Sequence, residues 1–303
     1  MTENKFIVDD EFQDVRIDKY LSLLLVDSSR SFIQKLIKEE MVLVHGSKVK
    51  ASYKVQAGDE VSITIPEPVS ANILPEQMEL NIIYEDDDFL IVNKDKNVVV
   101  HPAPGHYTGT LVNGLMEHCK DHLSNINGVL RPGIVHRIDK DTTGALIVCK
   151  NDYSHNFIAE QLKEHSITRK YVGIVEGIIK EDSGTIDAPI GRHPVKRMEM
   201  AINEINGKHA VTHFKVLKRL QGYTFAEFQL ETGRTHQIRV HMASIHHPLL
   251  GDEIYNHKKS KFKLQGQCLH AKTIGFIHPT TKEYVEFEAP IPEYLEHLLE
   301  ILS

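Results

Sequence analysis

Cysteine is scarce in this chain of 303 residues. There are three, Cys119, Cys149 and Cys268, scattered and odd in number. Such a set argues against a disulfide framework and fits a reducing cytoplasm. No pair of them has zinc spacing. Cys149 lies in the apolar run Ala145–Cys149, where a small buried side chain is a plainer reading than a nucleophile. Long apolar runs are missing as well: none approaches the ~18 residues of a membrane span. The start, Met1–Asp10, is polar and acidic, unlike a signal peptide. There is no Gly-x-x-x-x-Gly-Lys loop and no Gly-x-Gly-x-x-Gly fingerprint, so a nucleotide cofactor has no support. Internal repeats and low-complexity tracts are absent too.

Histidine, by contrast, is plentiful, with 19. His236, His241, His246 and His247 cluster, but a five-residue step does not put two ligands on one helical face as His-Glu-x-x-His does. No metal is expected, and a histidine-metal hydrolase stands only as a rival that metal analysis would decide. The formal net charge is -7, which taken alone disfavours nucleic acid, since phosphates need cations. Distribution matters more than the sum. Between Arg16 and Lys54 eight basic residues face four acidic ones, and the acidic runs Asp9–Glu11 and Glu85–Asp88 lie outside. Basic surface is therefore segregated, which keeps an RNA partner open.

The chain reads as a small module and a large one. In Arg16–Leu25 the residues Ile17, Tyr20, Leu21, Leu24 and Leu25 share one helical face. Ser28 or Ser29 can cap a second helix with the apolar face Phe32, Ile33, Leu36 and Ile37. Strands are expected at Val42–Val44, from Val49 onward and at Val61–Ile65, with turns at His45–Gly46 and Ala57–Asp59. The proline-flanked stretch 67–75 has no clear period and reads as a linker. The expected division is a module over 1–67 with its core at about 14–66, a linker over 68–75, and a large domain over 76–303.

In the large domain, strands are expected at Phe89–Asn93, Val98–His101, Ala145–Cys149, Tyr171–Glu176, Val211–Leu217, Tyr223–Leu230 and Tyr284–Glu288. Helices are expected at Leu111–Cys119, Asp152–Glu164, Thr235–Ile245 and Glu293–Leu302. Several strands follow one another without a helix between them, so an α+β sheet suits better than a βαβ repeat.

Two segments carry chemistry. His136-Arg137-Ile138-Asp139-Lys140-Asp141-Thr142-Thr143-Gly144 crowds charge into a loop between the apolar runs Ile134–Val135 and Ala145–Cys149, read as two strands. Loops on rigid strands are where catalytic groups tend to sit, although a hairpin tip with solvated charges would look the same. The run from Glu231 to Met242 holds Arg234 at a glycine turn where a strand hands over to a helix. Such a corner aims side chains and N–H groups at a cleft edge, and an ordinary helix start with solvated arginines fits it too.

His136-Arg137-Ile138-Asp139-x-x-Thr142-Thr143-Gly144 resembles the signature of RluA-type pseudouridine synthases, usually His-Arg-Leu-Asp-x-x-Thr-Ser-Gly. Arg169–Gly177 resembles that family's tyrosine motif, and Leu230–Arg239 its third motif. Asn93–Pro102 and Ala188–Met200 are similar to further family stretches. Arg16–Val55 separately resembles an S4 RNA-binding module, through Arg16-Ile17-Asp18-Lys19-Tyr20-Leu21, Ser29-Arg30-Ser31 and Val42-x-Val44-x-Gly46. Glu40 stands where an S4 module often has glycine after its second helix, which argues against a glycine-type C-cap. His45 stands where asparagine often precedes Gly46.

The resemblance implies a fold, a reaction and a site. The fold would be α+β: a mixed, largely antiparallel sheet with a central cleft, joined to a small α+β S4 domain. The reaction would turn uridine into pseudouridine within RNA, with no cofactor, in a cytoplasmic monomer. Asp139 would be the essential carboxylate, acting as nucleophile or general base, with an adjacent Arg234 favouring its charged form. Tyr171 would stack on a base flipped out of the helix. Arg137 would enter the space that base vacates or hold a phosphate, and Ile238 would line the pocket. Arg16, Arg30, Lys35, Lys38 and Lys48 would hold RNA phosphates, contacts that position without reading sequence. The stretch Ala188–Pro194 together with the S4 module looks most like the RluD-like branch, which implies clustered uridines in large-subunit (23S) ribosomal RNA. A tRNA uridine is the runner-up, and a non-catalytic RNA-binding or ribosome-assembly protein is a further alternative.

Overall fold

The computed structural model describes residues 2–25, 30–65, 73–102, 106–120, 122–128, 131–196, 199–257 and 260–303. The chain divides into two units, Met1–Ser70 and Ala71–Ser303. The cap expected of Ser28 or Ser29 lies outside the described residues.

The first unit contains β1 (Thr2–Ile7), α1 (Ile17–Leu24), α2 (Arg30–Lys38), β2 (Val42–Val44), β3 (Ser47–Lys48) and β4 (Glu60–Ile65). Its antiparallel sheet has the order β1-β4-β2-β3. The expected apolar stripes supply the core: Ile17, Tyr20 and Leu21 from α1, Ile33, Leu36 and Ile37 from α2. Burying such stripes is what stabilises short helices. Three expectations are corrected. β1 was not foreseen, because as an edge strand it buries little and its sequence is polar. The third strand ends at Lys48 rather than beginning at Val49. Glu40 does adopt the left-handed C-cap, at φ 62°. The N–H of Met41 reaches the Leu36 carbonyl and that of Glu40 the Ile37 carbonyl, the double closure of a Schellman motif. The Glu40 carboxylate pairs with Lys48. His45 and Gly46 both have positive φ, 47° and 74°, as a two-residue hairpin turn requires.

The second unit contains β5 (Ile82–Glu85), β6 (Phe89–Lys94), α3 (Leu111–Cys119), β7 (Thr143–Cys149), α4 (Asp152–Lys163), β8 (Thr168–Glu176), β9 (Ser183–Asp187), β10 (Ile190–Arg192), β11 (Met200–Ile202), β12 (Val211–Arg219), β13 (Tyr223–Leu230), α5 (Gln237–Ser244), β14 (Leu269–Ile277), β15 (Tyr284–Glu288) and α6 (Glu293–Ile301). Nine strands form one mixed sheet, β5-β6-β7-β14-β8-β13-β12-β9, with β15 added to β14. Among the described pairings in it only β7 with β14 is parallel; the rest are antiparallel, so the fold is the α+β class expected. Alternate residues of β6 and β7 enter opposite layers. Leu90, Val92, Leu146 and Val148 pack with α3, while Phe89, Ile91 and Ile147 pack with Ile158 of α4.

Val98–His101 is not a strand. The carbonyls of Val99 and Val100 accept the N–H groups of Leu111 and Val112, so this apolar stretch satisfies the first turn of α3 instead of a ladder. Ile134–Val135 is not a strand either, and makes one bridge, to Val148. Ile73, expected in the linker, is buried in the large core. No helix among the described residues is long and apolar enough to cross a membrane.

Candidate active site

Between the bridge at Ile134 and the start of β7 the chain makes the loop that carries Asp139, and four anchors fix it. His136 accepts the N–H of Ile147 on Nε2 at 2.9 Å. Desolvation, helped by the charge of Arg169, pushes that imidazole down to about 3, so the ring stays neutral and can accept. Lys94, fully buried, donates from Nζ to the backbone oxygens of Asp95 (2.7 Å), Val98 (2.9 Å) and Lys140 (2.8 Å). Burial pulls this amine down to about 7, against the charges of Asp141 and Asp139. The Thr142 N–H closes a turn onto the Asp139 carbonyl at 3.0 Å, and the Thr142 hydroxyl accepts from Gln267 at 3.0 Å. The fourth anchor is Gly144, at φ 111°, where a Cβ would sit 2.2 Å from the carbonyl oxygen of Ala271. β7 can approach β14 here only because residue 144 has no side chain.

The Asp139 carboxylate, 21% exposed, meets Arg239: Nη1 donates to Oδ2 at 2.9 Å. Arg239 is itself gripped from behind, its Nε and Nη2 donating to Oδ2 and Oδ1 of Asp252 at 2.7 and 2.9 Å. Asp252 is fully buried and also accepts the N–H groups of Ile254 and Tyr255. Burial would raise this carboxyl, but the Arg239 bonds outweigh it and hold it below the usual range. The forked grip leaves Arg239 one free direction, toward Asp139. The Arg239 guanidinium carbon lies 5.2 Å from the centre of the Tyr255 ring, and the Tyr255 hydroxyl meets His236 Nδ1 at 2.8 Å. His236 Nε2 stands 4.0 Å from Asp139 Oδ1, and burial lowers its pKa.

The arginine beside Asp139 is thus Arg239, and not Arg234 as expected. Arg234 lies in the turn before α5, where its N–H is taken by Gln237 Oε1 at 3.0 Å and its Nε by the His209 carbonyl at 2.9 Å. Arg239 lies inside α5, whose residues Gln237–Met242 are all buried. That burial is a property of the fold, so nothing in the sequence set Arg239 apart from Arg234.

A cavity of about 510 Å³ opens in front of this group, lined by Arg137, Asp139, Tyr171, Arg234 and Ile238 among others. All five catalytic-domain residues singled out from the sequence therefore meet at one place. Register explains part of this: Gly144 pairs with Ala271, and Ala271 with Tyr171, so the Asp139 loop starts two strands from the tyrosine, about 10 Å away. Tyr171 is 8% exposed and Ile238 is buried; both belong to the core and to the cavity wall. Arg169, which sequence reading did not single out, is buried beside them. One anion amid several guanidiniums, next to an aromatic wall, suits a ligand that joins a flat ring to phosphates.

Residues 88–244 match the family model for RNA pseudouridylate synthases, and residues 15–61 match that for S4 domains. The chain belongs to the RNA pseudouridylate synthase family. A Bacillus subtilis (strain 168) protein, the uncharacterized RNA pseudouridine synthase YlyB, is 55% identical to this synthase, covering 100% of this chain and 99% of its own. The ribosomal large subunit pseudouridine synthase D of Zymomonas mobilis subsp. mobilis is 43% identical, over 95% of this chain and 93% of its own. The solved structure of human RNA Pseudouridylate Synthase Domain Containing 1 superposes with a TM-score of 0.57 at 27% identity, over 78% of this chain and 97% of that one. The synthase is an isomerase whose substrate is RNA.

In the S4 unit of the synthase the expected cations are partly engaged. Arg16 and Arg30, each about half exposed, both clamp the fully buried carboxylate of Asp18 at 3.1 and 3.0 Å, and Gln34 adds a third partner at 2.6 Å. Burial would raise Asp18, but the Arg16, Gln34 and Arg30 bonds overcome it and hold the carboxyl at about 2. Lys35 pairs with Glu39 at 3.7 Å, an exposed i,i+4 pair of small worth. Lys38 and Lys48 line a shallow groove with Lys50.

Proposed function

We propose that this synthase isomerises clustered uridines in a stem-loop of large-subunit (23S) ribosomal RNA, with Asp139 as the catalytic carboxylate and no cofactor. The observation that carries the reading is the Asp252–Arg239–Asp139 chain ending at a cavity that Tyr171 also lines. The ribosomal choice is supported by the Zymomonas relative, a ribosomal large subunit pseudouridine synthase D.

The target base cannot react while stacked, so it must leave the helix. Tyr171 gives it a flat partner, and stacking contributes about 1–3 kcal/mol per base. Arg137, exposed at the cavity edge, holds a phosphate or fills the vacated space. Asp139 then attacks the sugar or removes a sugar proton, and the N1–C1′ bond breaks. The uracil turns within the cavity and C5 joins C1′ as the Asp139–sugar bond breaks, or as the abstracted proton returns to the sugar; C5 then gives up its proton and N1 gains one. No electron or group leaves, so the balance needs no further reagent. Arg239 and Arg234 contribute positive charge while the uracil is detached. Arg16, Arg30, Lys35, Lys38 and Lys48 hold the RNA backbone on the S4 unit. The three thiols are free and buried, which supports a reducing, cytoplasmic setting, and we take the working form as a monomer.

An Asp139→Asn protein should bind RNA and form no pseudouridine; full activity in it would refute the assignment. Mapping pseudouridines across cellular RNA with and without the gene tests the substrate. Loss at clustered large-subunit sites is expected, and loss confined to tRNA would overturn the ribosomal choice.

A further inference from the structure

Among the described residues Arg169 has no carboxylate to offset its charge. It sits on β8 two residues before Tyr171, so both side chains leave the same face of the strand. It is 7% exposed and lines the cavity. Among the described residues one hydrogen bond holds it, from Nη2 to the Glu231 carbonyl at 2.9 Å. Its buried Nε meets no acceptor among the described residues, and no carboxylate pairs with it there. A side chain at position 233 would lie 2.7 Å from Nη1, so Gly233 leaves the fork its room. Burying an unpaired guanidinium is costly, and proteins normally supply an anion or a full set of acceptors. Arg239, equally buried a short way off, has two carboxylates. The neighbour Arg234 adds like charge and not relief. The cavity wall also includes Lys163, at the C-terminal end of α4, though its amine already pairs with Glu160 at 2.8 Å. Its volume of about 510 Å³ leaves space beyond a single base.

From this we infer that Arg169 is a substrate-binding residue whose guanidinium takes a phosphodiester flanking the flipped uridine. The inference rests on the isomerase reading for its ligand and goes beyond it in naming the group that anchors the backbone inside the cavity. Its planar fork suits a phosphate, which it would grip through charge-assisted bonds. Asp139 would then act on a nucleotide fixed at the base by Tyr171 and at the backbone by Arg169.

The test is a cycle between protein and RNA. A uridine stem-loop that the wild-type enzyme converts is made with a neutral methylphosphonate at either linkage flanking the target. Each version is titrated against wild type, Arg169→Met and Arg169→Lys, with circular dichroism confirming the fold. At one linkage the methylphosphonate should weaken wild-type binding by about tenfold, as loss of a charged hydrogen bond does. It should weaken Arg169→Met by less than about twofold, because the partner is already gone. Arg169→Lys should remain coupled, and Arg169→Gln takes the place of the methionine variant if that one does not fold. Equal losses in wild type and the neutral variant at both linkages would overturn the proposal, since a residue that merely props up the Glu231–Gly233 turn would be blind to the charge of one linkage. Conversion of the unmodified stem-loop is scored alongside. Conversion without coupling sinks the Arg169 assignment alone, whereas failure to convert any RNA strikes at the isomerase reading itself.

Discussion

The two units solve one electrostatic problem in opposite directions. In the catalytic unit one arginine, Arg239, lies between two carboxylates, and the inner one, Asp252, is fully buried. In the S4 unit one buried carboxylate, Asp18, gathers two arginines. The first arrangement delivers a surplus negative charge, on Asp139, to the mouth of a cavity. The second delivers a surplus positive charge, on half-exposed guanidiniums, to the surface. The same ion-pair chemistry leaves an outward anion in one place and outward guanidiniums in the other. What differs is which partner is kept away from water, since a buried charge must be matched while the outer one remains free to act.

The comparison can be broken at its strongest point first. Asp139→Asn, which removes the outward anion, should lower turnover by about 10⁴-fold or more at unchanged RNA affinity, measured by single-turnover pseudouridine formation. Next comes Arg239→Met. It strands Asp252 as an unpaired buried charge, so unfolding in urea should show a loss of about 3–5 kcal/mol, together with loss of activity. The equivalent cut in the S4 unit is Asp18→Asn, and here pH sharpens the contrast. Asp18 has a folded value of about 2, lowered from 3.8. A depressed carboxyl stabilises the fold above its unfolded value and loses that contribution as pH falls through the folded one. The stability gap between wild type and Asp18→Asn should therefore be full at pH 7 and shrink between about pH 4 and pH 2. The smallest effect is expected from Arg30→Ala. RNA binding should weaken modestly, the slope of log affinity against log salt should fall by about 1, and turnover at saturating RNA should not change.

How far the sequence could be read follows the same division between local and distant. Helices came through because their stripes are local: Leu111–Cys119 is α3 to the residue. β14 was missed although it sits mid-sheet. It is buried on both faces, so it shows no alternation, and Gly275 and His270 interrupt its apolar character. Val98–His101 misled for the converse reason: β-branched residues say nothing about where their carbonyls will be used. In the site, Asp139, Tyr171 and Arg137 were legible through ordered motifs. The partner of Asp139 was not, since the pair spans 100 residues and is set by the tertiary position of α5. Arg234, at a conspicuous glycine turn, drew attention that belonged five residues further on. Arg169 escaped because its oddity is a missing partner, which no string of letters displays.

The contact between Gly144 and Ala271 has a last consequence. At that crossing one main chain rests against another, with no yielding side chain between them. How deep the Asp139 carboxylate stands is thus inherited from backbone geometry and not from cavity packing. Residues around the mouth can be exchanged to suit a different RNA while that depth stays the same, so reshaping what the enzyme accepts and preserving what it does are separable tasks.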